Sequence, residues 1–83
     1  MEMCKIVCSV AGHDKGLYSV VVGENERGLL ISDGKYHKLS SPKLKNANHL
    51  KETGVCILME QTKTDKALRK AIFAVMKAYK EEN

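Results

Sequence analysis

The chain has 83 residues, which is enough for one small domain and too few for an enclosed active site with a lid. Its hydrophobic content of 43% is ordinary for a globular domain, and no apolar run approaches the roughly 20 residues that span a bilayer. The formal net charge is +4, and the first residues combine Glu2 with no cluster of Lys or Arg, so we expect a cytoplasmic protein without a signal peptide.

The first fifty or so residues have the composition of short strands joined by turns. The polar segment Gly12–Gly16 connects the first two strands, and GENERG at 23–28 predicts a turn. Asp33-Gly34 is the strongest hairpin signal in the chain, so the strand after it should return antiparallel to the strand before it. The predicted strands cover 5–10, 17–22, 29–32 and 35–39.

The next segment is less regular. Pro42 ends the fourth strand because proline cannot donate a hydrogen bond to a ladder. Residues 44–51 predict a polar loop that leads into a short strand near His49 and Leu50. The apolar run at 55–59 is either a further strand or a buried connector, since periodicity cannot separate the two over five residues.

The C-terminal part predicts an amphipathic helix over 62–80. Thr62 or Thr64 provides its N-cap, ahead of strong helix formers. At about 100° per residue, one apolar stripe faces the protein and basic residues share the other side with Phe73. We expect the stripe to pack on its own domain; its members are Leu68, Ala71, Ile72, Val75, Met76 and Tyr79.

Positive charge is concentrated in residues 35–51. This segment holds five lysines and no Asp or Glu, so it contributes +5 and leaves −1 for the rest of the chain. Such a stretch favours a polyanionic partner such as RNA. The alternative is that the lysines protect an exposed sheet edge and keep the protein in solution. The lysines are Lys35, Lys38, Lys43, Lys45 and Lys51.

The loop within SVAGHDKGLYSVVVG at 9–23 holds His13-Asp14, the residue types of an acid–base pair. Adjacent strand residues point in opposite directions, and no Ser, Cys or second carboxylate is placed to complete a catalytic set. We therefore predict a solvated loop without a perturbed pKa, and no enzyme activity. Lys15 and the glycines leave contact with an RNA backbone open, and Gly16 supplies backbone freedom.

Tyr36 is the aromatic residue that lies among basic residues, beside Lys35, His37 and Lys38. Base stacking is one interpretation of this pattern. Several short strands followed by one helix suggest a small β-barrel with a terminal helix. The other interpretation, which we prefer, makes Tyr36 a residue of this barrel with its hydroxyl at the surface.

The cysteines predict neither a disulfide framework nor a metal site. Their number is odd, and no two-residue Cys spacing is present. Cys4, Cys8 and Cys56 are therefore expected to be small buried hydrophobic side chains, and neither a metal nor a cofactor is predicted.

Four ordered signatures resemble the KOW family. CKIVCSVAGHDKGLYSVVVG is similar to a KOW motif, in which a polar loop and a glycine, here Gly16, separate two strands. The continuation resembles KOW-containing ribosomal proteins of archaea and eukaryotes, and above all their short bacterial RNA-binding relatives. The signatures are the loop Ala11–Gly16, the hairpin Asp33–Lys35, the basic segment Pro42–Asn46, and His49-Leu50, so the resemblance covers about residues 5–51.

The resemblance implies an SH3-like β-barrel without catalytic activity, which binds ribosomal RNA or acts as a ribosome-associated translation factor. Carried over by position, it implies RNA contacts at Gly12, His13, Asp14, Lys15, Gly16, Lys43, Lys45 and Asn46. The charge pattern adds Lys35, His37, Lys38 and Lys51, and Asn48 is expected to lie beside these lysines.

A protein-interaction module is the alternative function. KOW barrels of transcription elongation factors of the NusG type dock onto proteins, and the helix offers Leu68, Ile72 and Val75 to a partner's groove. A thiol enzyme that uses Cys8 or Cys56 is a third, formal class.

Overall fold

Residues 3–82 are described by a computed structural model of the chain. Glu2, on which the expected absence of a signal peptide rests, lies outside this range. The elements are the strands β1 (Met3–Ser9), β2 (Tyr18–Asn25), β3 (Gly28–Ser32), β4 (Lys43–Lys45) and β5 (Leu50–Leu58), 3-10 helices at Ala47–His49 and Met59–Thr62, and the helix α1 (Asp65–Glu82).

The strands form one antiparallel sheet in the order β4-β3-β2-β1-β5. β1 to β4 pair in chain order, and β2 and β3 are joined by the expected turn between Asn25 and Gly28, whereas β5 pairs with β1. The predicted strands at 5–10, 17–22 and 29–32 are confirmed, and the apolar run at 55–59 belongs to β5 up to Leu58. The mainly β fold with a C-terminal helix is therefore confirmed, as an open sheet in its hydrogen-bond order.

The sheet is curved, because its two outer strands follow each other in the chain. In a flat five-stranded sheet, β4 and β5 would lie about 19 Å apart. The connection from Lys45 to Leu50 contains the 3-10 helix and spans at most about 14 Å. Register shifts at Lys5/Val7 and at Val21/Gly23 supply bulges that bend the strands. One end of β4 is thereby brought close to β5.

Helix α1 covers one face of the sheet, and its apolar stripe builds the core. Ile6 pairs with Val20, so both side chains lie on this face, where Leu68 packs against them. Ile72 and Met76 are also buried there, while Val75 and Tyr79 pack against the cluster from its margin. The expected packing of the helix on its own domain is confirmed.

Thr64 is the residue that caps α1. Its hydroxyl accepts a hydrogen bond from the backbone N–H of Ala67 at 3.1 Å, and its carbonyl accepts one from Leu68 at 2.9 Å. The helix therefore begins at Asp65, three residues later than predicted, because Met59–Thr62 forms a separate 3-10 helix.

The predicted strand at 35–39 is wrong: these residues form a loop. The carboxylate of Asp33 accepts hydrogen bonds from the backbone N–H groups of Lys35 (3.2 Å) and His37 (2.8 Å), and the Ser32 hydroxyl donates to the His37 carbonyl at 2.6 Å. These side chains use the backbone groups that a hairpin ladder would need. As a result, β3 pairs with β4 instead.

The 33–39 loop is fixed against the start of α1. Gly34 has φ +80°, and a Cβ at this position would overlap the backbone carbonyl of Asp65. The carboxylate of Asp65 in turn accepts a hydrogen bond from the backbone N–H of Leu39 at 2.8 Å. A glycine is required here for both its backbone conformation and its lack of a side chain.

Cys4, Cys8 and Cys56 form no disulfide bond within residues 3–82, and they lie in different environments. Cys4 is buried in the core as predicted, whereas Cys56 is exposed, contrary to the prediction. The reason is its register: Cys56 pairs with Lys5, on the face of the sheet that α1 does not cover. In the part of the chain that the structure describes, no helix is long and apolar enough to cross a membrane.

Substituting Gly34 and Gly54 by alanine separates packing from backbone strain. Both glycines have nearly the same φ, +80° and +81°, but nothing lies within 4 Å of a Cβ at Gly54. We expect Gly54→Ala to lower the free energy of unfolding by about 1–2 kcal/mol and Gly34→Ala by about 3 kcal/mol or more, measured by urea unfolding. Equal losses in the two variants would contradict the close packing of Gly34 against α1.

Candidate nucleic-acid interface

Asp14 joins three segments that are distant in sequence. Its carboxylate oxygen Oδ2 lies 2.7 Å from the Nζ atom of Lys43 and 3.5 Å from that of Lys45. The two lysines lie two residues apart on β4, so both side chains reach from the same face of the strand. The other oxygen, Oδ1, lies 3.3 Å from Nε2 of His37 in the 33–39 loop. The β1–β2 loop is therefore held to both β4 and the 33–39 loop.

Lys45 has a structural position. Its side chain is 8% exposed, and its ammonium group donates to the carbonyl of Ala11 at 3.1 Å as well as to Asp14. A buried ammonium needs such partners, because removing an unpaired charge from water costs several kcal/mol. The charge of Lys45, predicted as an RNA contact, is therefore already compensated inside the protein.

The pKa of Asp14 is lowered from 3.8 to about 2. The hydrogen bond from Lys43 is the largest cause, and it outweighs the burial of the carboxyl group, which acts in the opposite direction. The side chain of Asp14 is only 12% exposed. The expectation of an unperturbed pKa is therefore wrong for Asp14, because lysines 29 and 31 residues away in the chain fold onto it, although His13 and Lys15 beside it are exposed as expected.

His37 completes the cluster as a buried neighbour of Asp14. The 3.3 Å separation is close enough for an ion pair, but the contact lacks the alignment of a hydrogen bond, and residues 3–82 offer Nε2 no hydrogen-bond partner. The backbone of His37 is meanwhile fixed by Asp33 and Ser32. The side chain of His37 thus contacts the β1–β2 loop, while its backbone is held within the 33–39 loop.

The remaining predicted residues divide by location. His13, Lys15, Lys35 and Lys38 are exposed on the two loops, and Gly12 and Gly16 have φ of +79° and +90° as turns of this shape require. Asn46 and Asn48 lie at the 3-10 helix after β4, where the Asn46 side chain accepts a hydrogen bond from the Asn48 backbone at 2.9 Å. Lys51 is separate from this group, on β5 opposite Cys8.

Tyr36 is not part of the sheet, contrary to the preferred interpretation. It lies in the 33–39 loop with 66% of its surface exposed, and the Nζ atom of Lys35 lies 5.1 Å from the centre of its ring. The ring borders an open groove of about 550 Å³ whose other residues include His13, Lys15 and Leu17. An exposed aromatic ring among cations is the arrangement that base stacking uses.

Three residues of α1 that sequence reasoning did not assign continue this surface. Arg69, Phe73 and Lys77 line a second groove, of about 460 Å³, that also has Tyr36 on its border. Their spacing of four residues places them on one side of the helix. The spacing in the sequence predicts that these three side chains share one side of α1, but it does not show which loop that side faces.

The chain matches no protein-family model, and the curated proteins include none that is significantly similar to it. Among residues 3–82, no three His, Cys, Asp or Glu side chains are grouped so that they would hold a metal ion. The charge and shape of the surface formed by residues 11–17, 33–39 and β4, called the basic surface below, are therefore the basis for assigning a function.

Asp14→Asn tests the cluster through pH. Because the unfolded chain takes up this proton at about pH 4 and the folded chain only near pH 2, the stabilisation is complete above pH 4 and disappears as the pH falls to about 2. The shift corresponds to about 2 kcal/mol. We expect Asp14→Asn to be less stable than the parent by at least about that amount at pH 7, and the difference to shrink toward pH 2 in urea unfolding.

Glu52→Gln is the matched control. Glu52 pairs with Lys5 at 3.2 Å, but both side chains are largely exposed, so the loss should stay below about 1 kcal/mol. A difference between Asp14→Asn and the parent that stays constant from pH 7 to pH 2 would contradict the assigned role of Asp14.

Proposed function

We propose that this chain is a non-enzymatic RNA-binding protein of the KOW type, which acts in the cytoplasm and binds through its basic surface. The β1–β2 loop, the 33–39 loop and β4 form this surface, as the sequence resemblance implies for the loop at 11–16 and the segment at 42–46. The more specific assignment, to ribosomal RNA or to a ribosome-associated translation factor, is supported by that resemblance alone.

The observation that carries the proposal is the direction of the charges. In the two loops and β4, the acids are Asp14 and Asp33, and both carboxylates are engaged inside the protein. Lys15, Lys35 and Lys38 are exposed. A ligand therefore meets uncompensated positive charge on this surface, which is what a phosphate backbone requires.

An SH3-like barrel is the finer fold that we propose. The curved sheet, its two bulges and the short link between β4 and β5 support it. At the same end, the Val10 N–H donates to the His49 carbonyl at 2.9 Å, and Lys45 reaches Ala11. These contacts draw the edge strands together beside the β1–β2 loop.

Protein docking through the apolar stripe of α1 has less support. Leu68 and Ile72 are buried in the core, so the helix would have to leave the sheet before a partner's groove could take this stripe. Docking of the NusG type, through the barrel itself, stays the alternative function.

Replacing the exposed lysines should reduce the salt dependence of RNA binding. For single-stranded RNA, each phosphate contact adds about 0.7 to the slope of log affinity against log salt, so the triple variant Lys15→Ala, Lys35→Ala, Lys38→Ala should lower that slope by about 2. The measurement is a salt titration with a labelled oligonucleotide. The control is Lys63→Ala, Lys66→Ala, Lys70→Ala, which removes the same charge outside the basic surface. An equal effect of both variants would argue against a defined surface.

Ultraviolet crosslinking in cells, followed by sequencing of the bound RNA, tests the ribosomal assignment. We expect mainly ribosomal reads from the parent and a marked loss of reads from the Lys15, Lys35 and Lys38 variant. A library without RNA above background would favour the protein-interaction alternative.

A further inference from the structure

The groove of about 460 Å³ between α1 and the 33–39 loop has a composition of its own. Leu17, Ile72 and Met76 give it an apolar lining, while Tyr36 and Phe73 stand on its border. Phe73 is 71% exposed, although Ile72 and Met76 in the same lining are buried. The volume of the groove lies in the range of sites for small ligands and for single nucleotides of a longer strand.

The charges around this groove select the chemistry of its occupant. Lys35 comes from the loop, and Arg69 and Lys77 come from α1, so cations border the groove from both elements. Asp33 is the acid in its lining; it is 5% exposed and accepts hydrogen bonds from backbone N–H groups. An occupant with flat apolar rings and regularly spaced negative charges fits this arrangement, and a strand of nucleotides has both.

We propose that this groove binds single-stranded RNA, with bases stacked on Tyr36 and Phe73 and with flanking phosphates held by Arg69 and Lys77. This inference rests on the proposed function and extends it from the backbone to the bases. The groove shares Tyr36, Leu17 and Gly16 with the neighbouring groove at His13 and Lys15, so a strand can pass from one to the other. Duplex RNA offers no unstacked bases and gains less from this site.

The rigid framework around Tyr36 favours stacking. Gly34 packs against the first turn of α1, and Asp33 and Asp65 hold the backbone on both sides of Tyr36. Phe73 is carried by the same helix, two turns further along. The two rings are thus exposed on elements that are fixed relative to each other, which limits the entropy lost when a base stacks.

The first test is the affinity for a fluorescein-labelled oligouridine of about ten nucleotides, measured by anisotropy at low salt. Tyr36→Ala and Phe73→Ala should each weaken binding by about 5- to 100-fold. Phe73→Leu, which keeps an apolar side chain without a ring face, should lose nearly as much. Val22→Ala removes an exposed apolar side chain elsewhere on the sheet and should change the affinity by less than about twofold.

The same titration, repeated at several salt concentrations, distinguishes Arg69, which lines the groove, from a cation outside it. Arg69→Ala should weaken binding and lower the salt slope by about 0.7, whereas Lys70→Ala, its neighbour outside the groove, should leave the slope unchanged. Both positions are exposed, so neither variant should disturb the core. An equal effect of the two substitutions would overturn the assignment of Arg69.

Two further probes report on the bases themselves. An abasic strand of the same length keeps the phosphates but loses the stacking on both rings, so it should bind at least as weakly as oligouridine binds to Phe73→Ala. The chain has no tryptophan, so Tyr36→Trp introduces a single indole whose fluorescence should be quenched by oligouridine while affinity is kept.

The outcomes distinguish this inference from the proposed function. If oligouridine and the abasic strand bind equally, or if Phe73→Leu keeps full affinity, stacking in the groove is overturned while RNA binding by the lysines stands. If the parent binds no RNA at low salt, both proposals fail. If the fluorescence of Tyr36→Trp responds to an acidic amphipathic peptide and not to oligouridine, the groove is a protein-docking site and the inference is overturned.

Discussion

The contact between Asp14 and the lysines of β4 is the constraint on which the rest of the structure depends. The carboxylate of Asp14 accepts hydrogen bonds from the ammonium groups of Lys43 and the buried Lys45, and it also lies beside the imidazole of His37. Without this carboxylate, the two ammonium groups on the same face of β4 would repel each other with no negative charge between them. With it, the β1–β2 loop, the 33–39 loop and the edge strand form one connected surface.

The contacts of Asp14 divide the lysines of the basic surface into two groups. Lys43 and Lys45 share the single negative charge of Asp14 and hold the architecture together, whereas Lys15, Lys35 and Lys38 face solvent. This division explains how one lysine-rich segment can both stabilise a small domain and offer a field to a polyanion. It also shows that a count of lysines overstates the charge that a ligand meets.

Helix α1 has two sides with separate roles. Its apolar stripe closes the core over one face of the sheet, and the stripe formed by Arg69, Phe73 and Lys77 borders a groove with Tyr36. The close approach of Gly34 to Asp65 connects the two roles, because it fixes the distance between the helix and the loop that carries Tyr36. In the proposed function, the lysines of the loops hold the phosphates and this groove holds the bases.

The sequence by itself determined the local elements: β1 to β3 follow from short apolar runs separated by polar turn segments, and α1 follows from its period of 3.6 residues. It also identified Gly16, whose φ of +90° needs a glycine. Only the tertiary structure decided the fate of Asp33-Gly34, since the hairpin signal is local, whereas the packing of Gly34 against α1 is not. Likewise, the Asp14 cluster and the groove between Tyr36 and Phe73 join residues more than 20 positions apart, and no local pattern encodes such pairs.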